Sequence, residues 1–95
     1  MVVKIIKVWA LEAHEYTDRN GRNQVFKSKG FTMQTGEGTF YAEVVGDNAE
    51  TIEKLDIKAN DAAFVQLSLR AREYKAQNGT ERVSNEVTIQ QMYMI

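Results

Sequence analysis

The sequence predicts a mainly β domain with one short helix. Three observations carry the prediction: apolar and polar residues alternate through most of the 95 residues, Gly- and Asn-containing pairs punctuate that alternation, and helical spacing is confined to residues 49–55. One chain of this length makes one domain, residues 1–95, with one modest core.

The first segment, residues 2–16, alternates imperfectly. Val3, Ile5, Trp9 and Leu11 share one parity and Lys4, Ile6 and Val8 the other, so both faces are partly apolar. Such a pattern suits a long strand shared between two halves of a small barrel, bent by a bulge. Trp9 is expected in the core with Ile5 and Leu11. Residues 17–24 form a turn cluster in which Arg19 and Arg22 flank Asn20-Gly21. Residues 25–35 make a second strand with a bulge or bend expected at Gly30, and Gly36-Glu37-Gly38 turns it into a third, residues 39–45. Gly46 ends that strand, and Asp47 or Asn48 is placed to cap a short helix with Ile52 and Leu55 on one face.

The last third reads as one long hairpin. From Phe64 to Tyr74, Val65, Leu67, Leu69 and Ala71 point one way as core, while Phe64, Gln66, Ser68, Arg70, Arg72 and Tyr74 point the other. Asn78-Gly79 supplies the left-handed conformation that a tight reversal needs. Three strands, one helix and two strands, in that order, match the five-stranded OB barrel, an all-β fold whose open face and flanking loops bind oligonucleotides or oligosaccharides. An open α+β sheet with one helix packed on it is the rival.

Composition bounds the function. No cysteine is present, so neither a disulfide framework nor a thiolate zinc site is expected. The first 16 residues lack a continuous apolar run, which argues against a signal peptide or membrane span and for a cytoplasmic protein. With a formal net charge of −1, any polyanion must be met by local clustering of cations. Asp47, Glu50, Glu53, Asp56 and Asp61 concentrate acid around the helix, leaving the strands and loops relatively basic. Acids that begin a short helix also complement its dipole, which is the plainer explanation.

The segment LRAREYKAQNGTERVSNEVTIQQM resembles the final hairpin of the OB domain of bacterial and phage single-stranded-DNA-binding proteins. There an L-R-x-R-x-aromatic strand leads through a polar glycine loop into an E-V-x-x return strand. YTDRNGRNQVFKSKGFTMQT is similar to that family's first loop and second strand, and VVGDNAETIEKL to its strand-to-helix passage. The chain stops at Ile95 without the family's Gly- and Pro-rich linker and acidic tip, so recruitment of partners by a tail is not expected, and it is also similar to the primosomal replication protein B subgroup. Where the family's third strand carries Trp or Phe, this sequence has Tyr41, with the acid Glu43 on the same parity. The resemblance implies single-stranded DNA as partner, with RNA also open. Because a barrel this small covers only a few nucleotides, useful affinity would come from joining sites, so a homo-oligomer, dimer or tetramer, is expected.

Sequence-tolerant binding of a single strand needs cations that track phosphates and flat rings on which bases stack. Arg70, Arg72 and Tyr74 on the fourth strand, Tyr41 on the third, Lys27 and Lys29 on the second, and Arg19, Arg22, Lys75 and Arg82 in the loop regions are the candidates. Lys27 and Lys29 share parity with Val25, Phe31 and Met33, so either that face is a mixed binding surface or Gly30 shifts the register and the lysines are merely solvated. Phe26, Phe40 and Phe64 are expected to pack. His14, the only histidine, has no partner pattern, and no phosphate loop, metal-binding motif or nucleophile elbow occurs, so no enzyme, cofactor or metal site is expected. A protein-interaction module docking through Met92-Tyr93-Met94-Ile95 is the alternative, with oligosaccharide binding ranked last.

Overall fold

A computed structural model describes residues 1–95. The elements are β1 (Val2–Val8), β2 (Glu12–Thr17), β3 (Asn23–Thr35), β4 (Gly38–Val45), α1 (Asp47–Glu53), β5 (Ala62–Lys75) and β6 (Glu81–Met94). All six strands belong to one sheet. Its order, β1-β5-β6-β4-β3, closes because β1 also pairs with β3, and β2 lies outside the ring on β3. Every pairing is antiparallel except β4 with β6, which meet in parallel at Glu43 and Thr88.

The protein is thus mainly β with one short helix, but it has six strands where five are expected. The single first strand over residues 2–16 is interrupted between Val8 and Glu12, where the chain leaves the ladder and resumes as β2. The sharing of that strand is as anticipated. Val2, Val3 and Lys4 pair with β5, while Lys4, Ile5, Lys7 and Val8 pair with β3. A register shift between Ile5 and Lys7 supplies the bulge, and a one-residue slip exchanges the faces of everything after it.

Inside the ring, Val3, Ile5, Phe31, Met33, Val44 and Val65 are at most 2% exposed. Burying side chains of this size stabilises the fold by about 1.5–3 kcal/mol each. Helix α1 covers one opening with Ala49 and Ile52, while Leu55 lies past its end and is 49% exposed. The N-cap is Gly46, at φ 77°, rather than Asp47 or Asn48. Lys27 and Lys29 of β3 form ion pairs with Glu50 and Glu53 of the helix. Two of the acids around the helix, Glu50 and Glu53, therefore dock it on the sheet. No helix is long and apolar enough to cross a membrane.

Two ribbons leave the ring. Asn23 to Lys27 of β3 are paired with β2 but lack a β4 neighbour. Beyond Leu69, β5 and β6 have only each other, since β1 reaches β5 only through Ala62 to Phe64 and β4 touches β6 at a single pair. Leu69, expected in the core, is consequently 77% exposed. Its parity is the core parity, but nothing covers the ribbon there. At the ribbon's tip Gly79 takes φ 82°, and Asn78 closes the turn by accepting a hydrogen bond from Thr80 N at 3.0 Å; Asn78 itself keeps negative φ.

Candidate functional site

Because Phe31 and Met33 fill the core, alternation sends Phe26, Ser28, Gly30 and Thr32 to the outer face of β3. The ladder fixes their neighbours. Tyr16, His14 and Glu12 of β2 lie opposite Gln24, Phe26 and Ser28, while Glu43 and Tyr41 of β4 lie opposite Gly30 and Thr32. Lys7 of β1 pairs with Thr32 on the other side. Aromatic rings consequently line this face along its length.

At one end the imidazole of His14 stacks on Phe26 with centroids 4.8 Å apart, and Tyr16 leans on the same ring at 5.8 Å. His14 Nε2 is 2.9 Å from Ser28 Oγ, which fixes the ring's orientation. At the other end Trp9 and Tyr41 meet edge to face, 6.0 Å between centroids. Trp9 Nε1 donates to Thr32 Oγ1 at 3.1 Å, and Lys7 Nζ sits 3.8 Å from the indole centroid. The two ends are spanned by β3 from Gln24 to Thr32, about 26 Å at the usual strand rise.

Gly30 makes the second end possible. The ring of Tyr41 lies directly over it, and a Cβ at position 30 would run into the Tyr41 ring and hydroxyl. The strand passes Gly30 without a register shift, so this glycine marks a close approach and not the expected bulge. Tyr41 Oη donates to Glu43 Oε1 at 2.9 Å. Partial burial, that hydrogen bond and the nearby charges of Glu43 and Glu12 push its pKa up to about 12.

Trp9, Tyr16, Phe26 and Tyr41 are between 41% and 49% exposed. Sequence parity assigns Trp9 to the core and Phe26 to packing. The bulge after Ile5 turns Trp9 outward, and Phe26 lies on the part of β3 that has left the ring. The clue available in the sequence was Lys7, a cation on the supposed core parity two residues before Trp9.

Tyr41 lies on this aromatic face, and the other predicted site residues fall into three groups. Arg19 and Arg22 are exposed in the β2–β3 turn, at the Tyr16 end of the aromatic face. Asp18 shapes that turn by accepting from Asn20 N and Arg22 N, both at 2.9 Å, and from Gln24 Nε2 at 3.1 Å. The hydrogen bond from Arg22 N leads in holding its carboxyl below the ordinary value. Arg70, Arg72, Tyr74 and Arg82 share one face of the β5–β6 ribbon, while Lys75 occupies the other face opposite Glu81. Arg72 lies 3.7 Å from Glu86, an exposed pair worth little in stability. No ring contact or ion pair joins these ribbon residues to Tyr41.

Lys27 and Lys29 form the third group, on the helix side of β3 and away from Tyr41. Lys29 is 6% exposed, and its ammonium donates to Trp9 O at 2.9 Å besides pairing with Glu53. They do not join the outer face, because their parity is that of Phe31 and no shift at Gly30 reverses it. No protein-family model and no curated protein matches this chain.

Proposed function

We propose that the closed ring is an OB barrel whose first strand is broken into β1 and β2, and that the domain is a single-strand-binding module. Treating β1 and β2 as one strand makes the order three strands, a helix and two strands, and the parallel contact of the third strand with the last completes the closure. Within that class the reading is a single-stranded-DNA-binding domain without strong sequence specificity, similar to the bacterial and phage proteins of that kind, acting in replication, recombination or repair. The observation that carries it is the row of exposed rings on β3 and its neighbours, with Arg19 and Arg22 at one end and Lys7 at the other.

Rings left half-exposed on a rigid strand offer stacking faces worth about 1–3 kcal/mol per base. Arg19 and Arg22 meet phosphates, and Arg70, Arg72, Tyr74, Lys75 and Arg82 on the second ribbon extend the contact as the strand leaves the face. Lys27 and Lys29 have no part in it, since both ammonium groups are engaged by the helix. Trp9 is the only tryptophan, so its fluorescence reports on this face directly. Titration with oligo-dT should quench it, with affinity falling by about 0.7 log units per log unit of salt for each phosphate neutralised. Equal affinity for duplex of the same length, or a flat salt response, would count against the reading.

A protein-interaction role, as an accessory subunit of a replication or mobile-element complex, is supported by a different surface. Val2, Phe64 and Tyr93 are cross-strand neighbours on β1, β5 and β6 and are 61%, 45% and 57% exposed. An apolar row of this kind is suited to a homo-oligomer contact in a dimer or tetramer. Sedimentation of Tyr93→Ala against the parent tests that arrangement independently of DNA.

A further inference from the structure

We propose that the corner made by Trp9, Tyr41 and Glu43 reads the base that stacks there and prefers guanine to thymine. The inference rests on the single-strand reading above and adds base selectivity to it. Glu43 sits opposite Gly30, and Tyr41 holds one of its carboxylate oxygens at 2.9 Å. That hydrogen bond fixes the carboxylate beside the tyrosine ring. Glu43 forms no ion pair, and an ionised carboxylate offers about four acceptor sites. Its second oxygen is therefore open to a ligand.

Two features decide what part of the ligand meets that oxygen. The charges of Glu43 and Glu12 both act on Tyr41, which disfavours a phosphate beside Glu43. Lys7, the nearby cation, is stationed over the indole face of Trp9 and not beside Glu43. A base held against the rings thus turns its hydrogen-bonding edge to a pure acceptor. Guanine presents N1–H and the N2 amine side by side, a match for the two oxygens of a carboxylate. Cytosine and adenine offer one exocyclic amine, as in the known pairing of Glu with cytosine N4. Thymine sets two carbonyl oxygens around its N3–H, and these repel the carboxylate.

The test uses Trp9 fluorescence with three oligonucleotides of about ten residues, a length within the range of one OB domain: all thymine, the same with one central guanine, and the same with hypoxanthine, which keeps N1–H but lacks the amine. The guanine oligomer should bind at least about fivefold more tightly than all-thymine, the low end of what a bidentate base contact supplies. Hypoxanthine should lose most of that gain. Glu43→Gln, which retains an acceptor for Tyr41, should bring the guanine oligomer down to the thymine level, with circular dichroism confirming the fold. Equal binding of guanine and thymine oligomers by the parent overturns the inference while leaving the single-strand reading intact, and so does a guanine preference that survives Glu43→Gln. Failure of the parent to bind any of the three at low salt removes the single-strand reading and this inference with it.

Discussion

Trp9 and Tyr41 stand edge to face across Gly30, ring planes at 87°, and neither belongs to the core. An exposed aromatic pair held by a hydrogen bond to Thr32 on one side and to Glu43 on the other is fixed in place without contributing to the packed interior. The first expectation concerns the residue between them. Gly30→Ala should displace Tyr41, since the added methyl meets the far end of that ring, which can swing into solvent. Oligo-dT affinity should fall by about 1–3 kcal/mol, the value of one stacked base. A parent-like affinity would show that Tyr41 is not a stacking face.

Replacing Tyr41 itself separates ring from hydroxyl. Tyr41→Ala should lose a similar increment, about 1–3 kcal/mol, and Tyr41→Phe should keep most of the binding because the ring remains. Tyr74→Ala on the ribbon is the parallel measurement for the second surface. If both alanine variants bind oligo-dT like the parent, the protein-interaction reading becomes the better account.

Arg19 and Arg22 are exposed in the β2–β3 turn and make no ion pair. Arg19→Ala and Arg22→Ala should each reduce the steepness of the salt dependence by about 0.7, one phosphate contact on a single strand. Thermal stability should stay within about 0.5 kcal/mol of the parent. An unchanged salt slope in the double variant would remove this turn from the interface.

Lys29 should behave in the opposite way. It is buried, with its ammonium held by Glu53 and by Trp9 O. Lys29→Ala should cost about 1–3 kcal/mol of stability through the lost hydrogen bond and the void its stem leaves. The salt slope of binding should not change. A stability near that of the parent, read by denaturant melts, would show that the helix is held without this lysine.

The Lys27–Glu50 pair predicts an acid limb. The hydrogen bond and charge of Lys27 hold the Glu50 carboxyl below its ordinary 4.5. A folded-state pKa below the unfolded one means that the contribution to stability is fully present above the unfolded value and is lost as pH falls through the folded one. Parent and Glu50→Gln should therefore differ most near neutral pH and converge below about 4.5. A difference in melting temperature that stays constant through this range would contradict the assignment.

Much of this arrangement follows from local chemistry. Alternation alone places Val65 inward and Arg70, Arg72 and Tyr74 together on one face of β5, because side chains on a strand must point to opposite sides whatever surrounds them. The turns at Asn20-Gly21 and Asn78-Gly79 are equally local, since Gly21 and Gly79 adopt the positive φ that glycine permits without strain. Tertiary structure decided the rest. Alternation states which side a residue faces but not whether anything covers it, so Leu69 has core parity and no core around it. It likewise cannot locate a bulge: the shift after Ile5 depends on β1 bending from β5 to β3, and that bend carries Trp9 out of the core and onto the face with Tyr41. The lysines of β3 were similarly undecided until α1 folded back and set Glu50 and Glu53 against them. Residue spacing determines side and turn, whereas burial and partnership belong to strands brought together from distant parts of the chain.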